Sequence, residues 1–383
     1  MNGMNEQNWR VNIIKKVCHL TSVHPRYDIR IFQKECKSLA RHGFDVTLIV
    51  NDDIEDETID GVKIASTKFK PKNRLLRMLL SNKKILKKAL EVDAEIYHLH
   101  DPELLPIGNK LKRLGKKVIF DSHENYFLTI LDKTYIPKLF RSFVANIYKI
   151  YEAYSAKKID AVIIPCTFNN KNPFEKSANK TVVLDNVPIL NELYSQFDDE
   201  KTYTNRTICH VGLLNEYRGV THNIRAAAKV KATLLLAGKF FSENYYKKLC
   251  EMPEFKYVEY KGYVDRNGVL EIYKKSTIGL CTVLNHEEPI KMDNFNTKIY
   301  EYMSMGLPVI LTDSPYARRI LDQYNFGLAV DPSNQEELCD SINFLLDNPN
   351  IAKEMGRNGR LAIKERFNWS IEEQKLISLY KEL

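Results

Sequence analysis

The chain has 383 residues, of which 44% are hydrophobic and 28% are charged. This composition predicts a folded protein with two domains of ordinary size and excludes disordered and collagen-like classes. The formal net charge is +8, and one segment accounts for it, because residues 68–88 contain nine Lys or Arg and no Asp or Glu. An excess of this kind indicates an anionic partner.

Short apolar strands alternate with helical patterns along the first half of the chain. The helical stretch 30–42 ends at Gly43, a residue typical of helix C-termini. The strand patterns lie at 17–20, 45–50, 96–100, 117–120 and 161–164. Strands separated by helices predict a parallel sheet covered on both faces.

The polar stretch 195–205 interrupts this alternation and is typical of a linker. The pattern then restarts, with strands at 207–211, 232–237, 257–260, 278–282 and 308–312. We therefore expect an α/β protein with two Rossmann-like parallel-sheet domains, residues 1–195 and 206–365. A C-terminal helix at about 366–383 is expected to pack back on the first domain.

The seven cysteines are odd in number and include no C-x-x-C pair. This predicts buried free thiols in a reducing cytosol rather than disulfides or a zinc site. The first twelve residues are polar, and no apolar stretch approaches the ~20 residues that a membrane span needs. We expect a cytoplasmic protein with no signal sequence and no membrane span.

Ligands of open parallel sheets bind beyond the carboxyl ends of the strands. In the second half these positions hold three glycines, and glycine lets the backbone approach a ligand closely while the next helix offers free N–H groups to phosphate. A single glycine there is usually only a turn, but three at equivalent positions indicate a ligand site. The residues are Gly212, Gly238 with Lys239, and Gly262 with Tyr263 and Val264.

Two later motifs carry charge suited to a nucleotide. Arg218 stands in the loop before the helix at 221–230, where a guanidinium fork can bond two oxygens of a diphosphate. Lys298 and Glu301 share one face of a helix predicted from Asn296, so that the lysine can meet phosphate and the carboxylate can accept two ribose hydroxyls. The alternatives are a solvated surface arginine and a plain surface ion pair, worth ~0–1 kcal/mol.

The block from Asp293 to Ile310 resembles the donor-binding element of family-four glycosyltransferases, retaining enzymes whose motif is Glu-x7-Glu. Glu301 matches the second Glu, which in the family holds the ribose, and Asp293 stands in place of the first, a sugar contact. Asn296 and Thr297 belong to the same block. The 212–219 loop resembles the family's diphosphate loop, with Arg218 in place of its usual Lys and Leu213 in place of an earlier basic residue.

Motifs of the first half also resemble this family. His98-Leu-His100-Asp-Pro matches H-x-H-[DE]-P, whose second His lies beside the transferred sugar, so His100 is the matching residue. His123 in D-x-H-E, and Asp28 and Arg30 in HPRxDxRI, match variants found in transferases of capsule and O-antigen assembly. The resemblance covers nearly the whole chain and implies the GT-B fold, in which two Rossmann-like domains face a central cleft.

The resemblance implies transfer of a sugar, with retention, from a nucleotide sugar (a UDP-sugar) to a glycan in surface polysaccharide biosynthesis. The catalytic residues it implies are His100, Arg218, Lys298 and Asp293. No metal ion or other cofactor is expected, because no D-x-D pair stands in a suitable place. Two alternatives stay open: a GT-B-fold nucleotide-sugar epimerase, which would act without an acceptor, and a non-catalytic nucleotide-sugar-binding subunit. A nicotinamide oxidoreductase is disfavoured, since no G-x-G-x-x-G follows a strand.

The basic segment suggests a hypothesis about the acceptor. Placed at about 100° per residue, the leucines of residues 74–90 fall within roughly 140°: Leu75, Leu76, Leu79, Leu80, Leu86 and Leu90. A basic amphipathic helix at 68–90 could dock on the anionic inner face of the plasma membrane, which suits a lipid-linked glycan acceptor; residues 136–141 are a weaker candidate. The alternative is a helix that covers the first sheet with its lysines in water. Nucleic acid is not expected as a partner, because aromatic residues are scarce in this segment.

Overall fold

A computed structural model of the chain describes residues 14–73, 76–133, 136–198, 200–284 and 291–383. These residues form two compact units. The first unit contains the described residues up to 165 together with 174–184 and 373–383, and the second contains 166–173 and 185–372.

The first unit is built on an eight-stranded sheet with the order β3-β4-β2-β1-β5-β6-β7-β8. All neighbouring strands run parallel except β3 and β4, which form an antiparallel edge. The strands are β1 (Lys16–Leu20), β2 (Asp45–Val50), β3 (Glu57–Ile59), β4 (Val62–Ser66), β5 (Ile96–Leu99), β6 (Lys117–Asp121), β7 (Ala161–Ile164) and β8 (Thr181–Val183).

Helices follow the strands of this sheet in the manner of an α/β domain. They are α1 (Lys37–Arg41), α2 (Asn82–Val92), α3 (Leu105–Arg113), α4 (Tyr126–Asp132) and α5 (Lys138–Ala156). Two of them begin with a wider π-helical turn, Ile29–Cys36 before α1 and Arg77–Ser81 before α2. A 3-10 turn, Pro102–Leu104, leads into α3.

The second unit contains a six-stranded, fully parallel sheet with the order β11-β10-β9-β12-β13-β14. Its strands are β9 (Thr207–Val211), β10 (Thr233–Ala237), β11 (Val258–Tyr260), β12 (Ile278–Cys281), β13 (Val309–Thr312) and β14 (Gly327–Val330). The helices are α6 (Leu190–Leu193), α7 (Val220–Lys229), α8 (Glu243–Cys250), α9 (Arg266–Lys275), α10 (Thr297–Ser304), α11 (Pro315–Tyr324), α12 (Gln335–Asp347) and α13 (Pro349–Glu365). The last helix, α14 (Trp369–Glu382), begins in the second unit, and its residues from 373 onward belong to the first. Single 3-10 turns lie at Tyr194–Gln196, Glu216–Arg218 and Pro253–Tyr257.

Helices cover both faces of the second sheet, as the continuous apolar strands predict. Successive residues of β9 point to opposite faces. Cys209 packs with Tyr300 and Tyr302 of α10 on one face, whereas Ile208 packs with Ile224 of α7 on the other. The predicted α/β class with two parallel-sheet domains is therefore confirmed.

The helix of the basic segment buries a different face from the one that the leucine pattern predicts. Ile85 and Ala89 are buried, whereas Leu80 and Leu90 are exposed. The physical reason is the π-helical turn Arg77–Ser81, which contains more residues per turn and rotates the later side chains relative to a regular helix. Leu75 and the side chain of Leu79 lie outside the described residues.

The charge of the basic segment is partly neutralised within the first unit. Four of its nine cations form ion pairs with acidic residues, at N···O distances from 2.5 to 4.0 Å: Lys68 with Glu55, Arg77 with Glu103, Lys87 with Glu91 and Lys88 with Asp56. Arg74 lies outside the described residues. No helix in the described part of the chain is long and apolar enough to cross a membrane.

Candidate functional site

The loops after β9, β10 and β11 stack on one another at the carboxyl edge of the second sheet. The N–H of Gly212 donates to the carbonyl of Ala237 at 2.9 Å, and the N–H of Gly238 donates to that of Gly262 at 2.8 Å. Gly238 has φ 139°, and a Cβ there would lie 1.6 Å from the Gly212 carbonyl oxygen. The close packing of these loops therefore requires glycine at position 238. Because glycine has no side chain, backbone groups stay accessible at the edge of the sheet where ligands of this fold bind.

Lys298 lies directly over this glycine edge. It belongs to the first turn of α10, and its Nζ is 4.0 Å from the point where a Cβ on Gly212 would stand. The same Nζ is 3.1 Å from Nε2 of His210, a buried ring of β9. Burial first, and then the charge of Arg218, lowers the pKa of Lys298. Such an ammonium gains charge stabilisation when an anion binds beside it.

Arg218 reaches the same place from the loop after β9. Its Nη1 donates to Oδ1 of Asn296 at 2.9 Å, so the side chain of Asn296 holds the guanidinium and does not cap α10. The next residue, Gly219, has φ 70°, and a Cβ there would lie 2.1 Å from the carbonyl oxygen of Thr282. The loop thus turns tightly against the end of β12, which fixes the direction of Arg218.

His210 is a site neighbour that the sequence analysis missed. Burial first, reinforced by Lys298 and Arg218, lowers its pKa well below the usual range, so the ring is neutral and can accept a hydrogen bond from Lys298. Its Nδ1 is 3.0 Å from Nδ2 of Asn223. The sequence did contain a signal for it, because His210 is an ionisable residue within the apolar, buried run 208–211 of β9.

Glu301 lies one helical turn after Lys298, as predicted. Among the described residues, however, the two side chains form no ion pair with each other. Its Oε1 accepts from Nη1 of Arg266 at 2.7 Å, and its Oε2 accepts from the hydroxyl of Tyr273 at 2.6 Å. Two donors therefore hold the carboxylate in a fixed orientation. Each oxygen keeps a second lone pair that can accept from a ligand.

Asp293 contacts the chain segment 166–173, which belongs to the second unit. Its Oδ2 accepts from Oγ1 of Thr167 at 2.7 Å and from the N–H of Asn170 at 2.6 Å, and its Oδ1 lies 3.4 Å from Nη2 of Arg319. The contacts seen for this carboxylate thus anchor a connecting segment. The resemblance had implied a sugar contact for it.

The remaining predicted residues of the second unit differ in exposure. Thr297 and Tyr263 are exposed, and Val264 packs against the core that surrounds Tyr273. Lys239 uses its carbonyl to accept from the N–H of Leu214 at 3.1 Å. The structure therefore brings together Gly212, Gly238, Gly262, Arg218, Asn296 and Lys298 as one cluster, which we call the cation cluster.

In the first unit, three histidines meet where β1 and β5 lie side by side. His19 is opposite His98 in the parallel register, and Nδ1 of His19 is 2.8 Å from Nε2 of His100. Nδ1 of His100 is in turn 3.2 Å from Nε2 of His123. Burial lowers the pKa of each of these rings, that of His123 to about 4, so all of them are neutral at pH 7.

Arg30 is buried beside these histidines and forms a bidentate ion pair with Asp121 at 2.9 and 3.1 Å. Burial alone would raise the pKa of Asp121, but Arg30 and then His123 hold it well below its usual range. Burial and the Asp121 charge raise the pKa of the nearby Glu35 well above its usual range. Asp28 accepts from the N–H groups of Arg30 and Ile31, both at 2.9 Å, and so starts the π-helical turn.

Two groups of these side chains bring ligand atoms close enough to be tested as metal sites. They are His19, Glu35, His98 and His100, and then His100, Asp121 and His123. The 2.8 Å between His19 and His100 is shorter than the about 3.3 Å that two nitrogens keep around tetrahedral zinc. A hydrogen bond between the rings accounts for this distance better than a shared metal ion.

Comparison with known proteins gives matches over both units. Residues 195–362 match the family described as Glycosyl transferases group 1, and residues 31–171 match Glycosyltransferase Family 4. Over 98 residues the chain is 31% identical to the sucrose synthase of Melioribacter roseus. This stretch is 24% of the chain and only 12% of that much longer relative.

Solved structures resemble the whole chain. Sucrose-phosphate synthase from Thermosynechococcus elongatus has a TM-score of 0.72 at 15% identity, with 96% of this chain and 98% of that chain covered. Anabaena HepE in complex with UDP and glucose has a TM-score of 0.69 at 15% identity, with 96% and 100% covered. At these identities the likeness establishes the fold.

Proposed function

Because the chain belongs to the group 1 glycosyltransferases with the GT-B fold, we propose that it is a retaining glycosyltransferase that uses a UDP-sugar as donor. The observation that carries this proposal is the cation cluster. Lys298 and Arg218 converge on a glycine edge where backbone groups can approach a diphosphate. A transferase of this class is limited by departure of a diphosphate, so cations at that position have a direct role.

In the proposed reaction, the bond between the sugar carbon and the diphosphate oxygen breaks and its electron pair leaves with UDP. The acceptor oxygen forms the new bond on the same face of the sugar, which retains the configuration. The acceptor proton passes to the departing phosphate oxygen, so no side chain has to act as a strong base. Lys298 and Arg218 stabilise the negative charge that develops on the phosphate, and this stabilisation replaces the need for a metal ion.

The other residues have positioning roles in this proposal. Glu301 accepts from the ribose hydroxyls. Hydrogen bonds from Arg266 and Tyr273 already orient its carboxylate, which supports that role, because a fixed acceptor loses little freedom on binding. His100, by its match to the family motif, contacts the transferred sugar. Anabaena HepE, which shares the fold, has been solved with UDP and with UDP-glucose, and this supports uridine as the nucleotide.

The acceptor is a lipid-linked glycan in surface polysaccharide biosynthesis, of the capsule or O-antigen type, at the inner face of the plasma membrane. Support comes from the basic segment 68–90, in which Lys83, Lys84 and Lys87 are exposed on one helical stretch. Each cation near an anionic membrane contributes ~1 kcal/mol of attraction. The ion pairs with Glu55, Asp56, Glu91 and Glu103 reduce this attraction without removing it.

A thermal-shift panel of UDP-, GDP- and ADP-sugars on the purified chain tests the donor assignment. We expect the UDP-sugars to raise the melting temperature and the other two classes to leave it unchanged, because binding to the folded state alone stabilises it. Lys298→Ala should abolish the UDP-sugar shift, and Lys248→Ala, at an exposed lysine of α8, is the matched control. A shift with GDP- or ADP-sugars only would contradict the uridine assignment, and the absence of any shift would contradict a donor site.

A further inference from the structure

The helix α5, which is 19 residues long, turns an apolar face outward. Only Ala145, Ser155 and Ala156 are buried on it. Seven of its large hydrophobic side chains are exposed: Leu139, Phe140, Phe143, Val144, Ile147, Ile150 and Tyr154. At about 100° per residue these seven fall within an arc of roughly 140° on the side opposite the buried residues. We call this set the outer stripe.

An outward apolar stripe is the reverse of what a helix on the surface of a soluble domain shows. Leu139 is 85% exposed and Ile150 is 71% exposed, so these side chains lie almost fully in solvent. A contiguous patch of large exposed apolar side chains on a protein marks a surface of interaction. The outer stripe is therefore a surface that a partner covers.

The charges of the same region point to an anionic partner. From Ile136 to Lys158 the chain carries five cations and a single acid, Glu152. Glu152 accepts a hydrogen bond from the hydroxyl of Tyr148 at 2.7 Å, and burial raises its pKa to about 7. Lys157 and Lys158, both exposed, directly follow the last turn of α5, and Nζ of Lys158 lies 3.9 Å from the ring centre of Tyr154, a residue of the stripe.

We propose that the outer stripe of α5 inserts into the surface of an anionic lipid bilayer, with Lys157 and Lys158 meeting the lipid headgroups. A helix with an exposed Leu, Phe and Ile face and lysines at its end lies in the membrane interface and buries its apolar side below the headgroups. A second copy of the chain is a poorer partner, because it would bring the same cations together with one carboxylate to offset them. The inference deepens the proposed function, since a lipid-linked acceptor lies at that surface.

Flotation of the full chain with lipid vesicles tests this surface. The vesicles are phosphatidylcholine alone and an equal mixture of phosphatidylcholine and phosphatidylglycerol. We expect the chain to float with the mixed vesicles and to bind the neutral ones much more weakly. The combined variant Leu139→Gln, Phe143→Gln, Ile150→Gln should lower the bound fraction by roughly tenfold or more, because three inserting side chains are lost.

A matched variant controls for loss of exposed apolar surface in general. It combines Leu114→Gln, Phe344→Gln and Leu361→Gln, three exposed side chains outside α5, and should bind as the unmodified chain does. Equal flotation of the unmodified chain and the α5 variant, or equal binding to neutral and anionic vesicles, would overturn the inference. Light scattering tests the alternative partner, a second copy of the chain. If the unmodified chain is a dimer and the α5 variant is a monomer, the stripe is a dimer interface instead.

Titration with UDP keeps this inference separate from the proposed function. The α5 variant and the control should bind UDP with the affinity of the unmodified chain, because every residue of the cation cluster belongs to the second unit. Loss of vesicle binding with intact UDP binding supports the docking surface by itself. If the unmodified chain binds vesicles but does not bind UDP, the donor assignment is wrong and the docking surface is still supported.

Discussion

The hydroxyl of Tyr380 lies 2.8 Å from Nδ1 of His98, although 282 residues separate the two in the chain. The same hydroxyl is 3.1 Å from Nε2 of His19, whose Nδ1 contacts His100. From His100 the contacts continue to His123. A tyrosine of the C-terminal helix is thus the junction of a buried chain of rings that ends at His100 and His123, two histidines that match the family's motifs.

The chain of rings has a preferred direction. Each neutral ring carries one N–H, so the hydrogen bonds must all run the same way. If they ran toward His98, its Nε2 would carry a buried N–H, and no described residue accepts from that atom. In the other direction Nε2 of His98 keeps only a lone pair, which costs less to bury without a partner. Tyr380 then donates to His19, His19 to His100, and His100 to His123.

Tyr380→Phe should therefore disturb His100 without touching it. We expect His100 to lose its preference for a proton on Nδ1, and turnover to fall about fivefold, since one neutral hydrogen bond is worth ~1 kcal/mol. Nitrogen NMR of histidine-labelled protein reports the tautomer, and steady-state kinetics report turnover. Tyr97→Phe is the control, because its buried hydroxyl donates to the carbonyl of Ala89 outside this chain of rings. An unchanged His100 tautomer would contradict the predicted direction.

The cation cluster is expected to dominate turnover. Lys298→Ala and Arg218→Ala should each lower turnover by a factor on the order of 10² to 10³, because each removes a charge aimed at the leaving diphosphate. Assay of released UDP measures this effect, and Lys248→Ala should leave the rate unchanged. Turnover close to that of the unmodified chain in both variants would contradict the assigned roles.

The lowered pKa of Lys298 adds a pH dependence to the same prediction. Burial and Arg218 favour its neutral form, so its charge is lost as the pH rises through a value below the usual lysine range. Turnover of the unmodified chain should fall in that alkaline range. Lys298→Arg should remove the fall, because a guanidinium keeps its charge there.

Glu301→Ala should act mainly on donor binding. Calorimetric titration with UDP and with 2′,3′-dideoxy-UDP separates the ribose contact from the phosphate contacts. We expect the unmodified chain to prefer UDP by about tenfold or more and the variant to bind the two equally, because only the missing hydroxyls contact this carboxylate. Arg266→Ala, which removes an exposed partner of Glu301, should keep most of the preference. A preference that survives in Glu301→Ala would assign the ribose to another residue.

Local patterns in the sequence were enough to predict the two sheets and the positions that follow their strands. Apolar runs such as that of β9 are buried on both faces, and the glycines and Lys298 come directly after or beside them. What a local pattern could not predict is the pairing of distant polar residues. Arg30 meets Asp121 across 91 residues, and Asp293 meets Thr167 across 126.

The basic segment 74–90 and the helix α5 also show what a local sequence pattern cannot predict. The leucine pattern at 74–90 assumed a regular helix, and the π-helical turn Arg77–Ser81 changed which side chains are buried. For α5 the pattern of apolar residues is present in the sequence, but its direction is not. Only the packing of Ala145 and Ser155 against the first unit shows that the apolar face points outward.

The pKa of Glu152, in the middle of α5, gives a prediction about stability. Burial raises this pKa to about 7, although the hydrogen bond from Tyr148 lowers it in part. The folded chain therefore holds the proton more tightly than the unfolded chain, whose glutamate titrates near ~4.3. Between these two values the folded state binds more protons, so its stability falls as the pH rises, and above about 7 the loss is complete.

Glu152→Gln removes this loss because the amide never ionises and still offers an oxygen to Tyr148. We expect the variant to be more stable than the unmodified chain by roughly 3 to 4 kcal/mol at a pH of about 8, and equally stable at about 4. Urea titrations at the two pH values measure the difference. Glu354→Gln, at an exposed glutamate of α13, should change stability at neither pH. A gain in stability of the same size at both pH values would show that the pKa of Glu152 is not raised in the folded chain and that packing alone explains the gain.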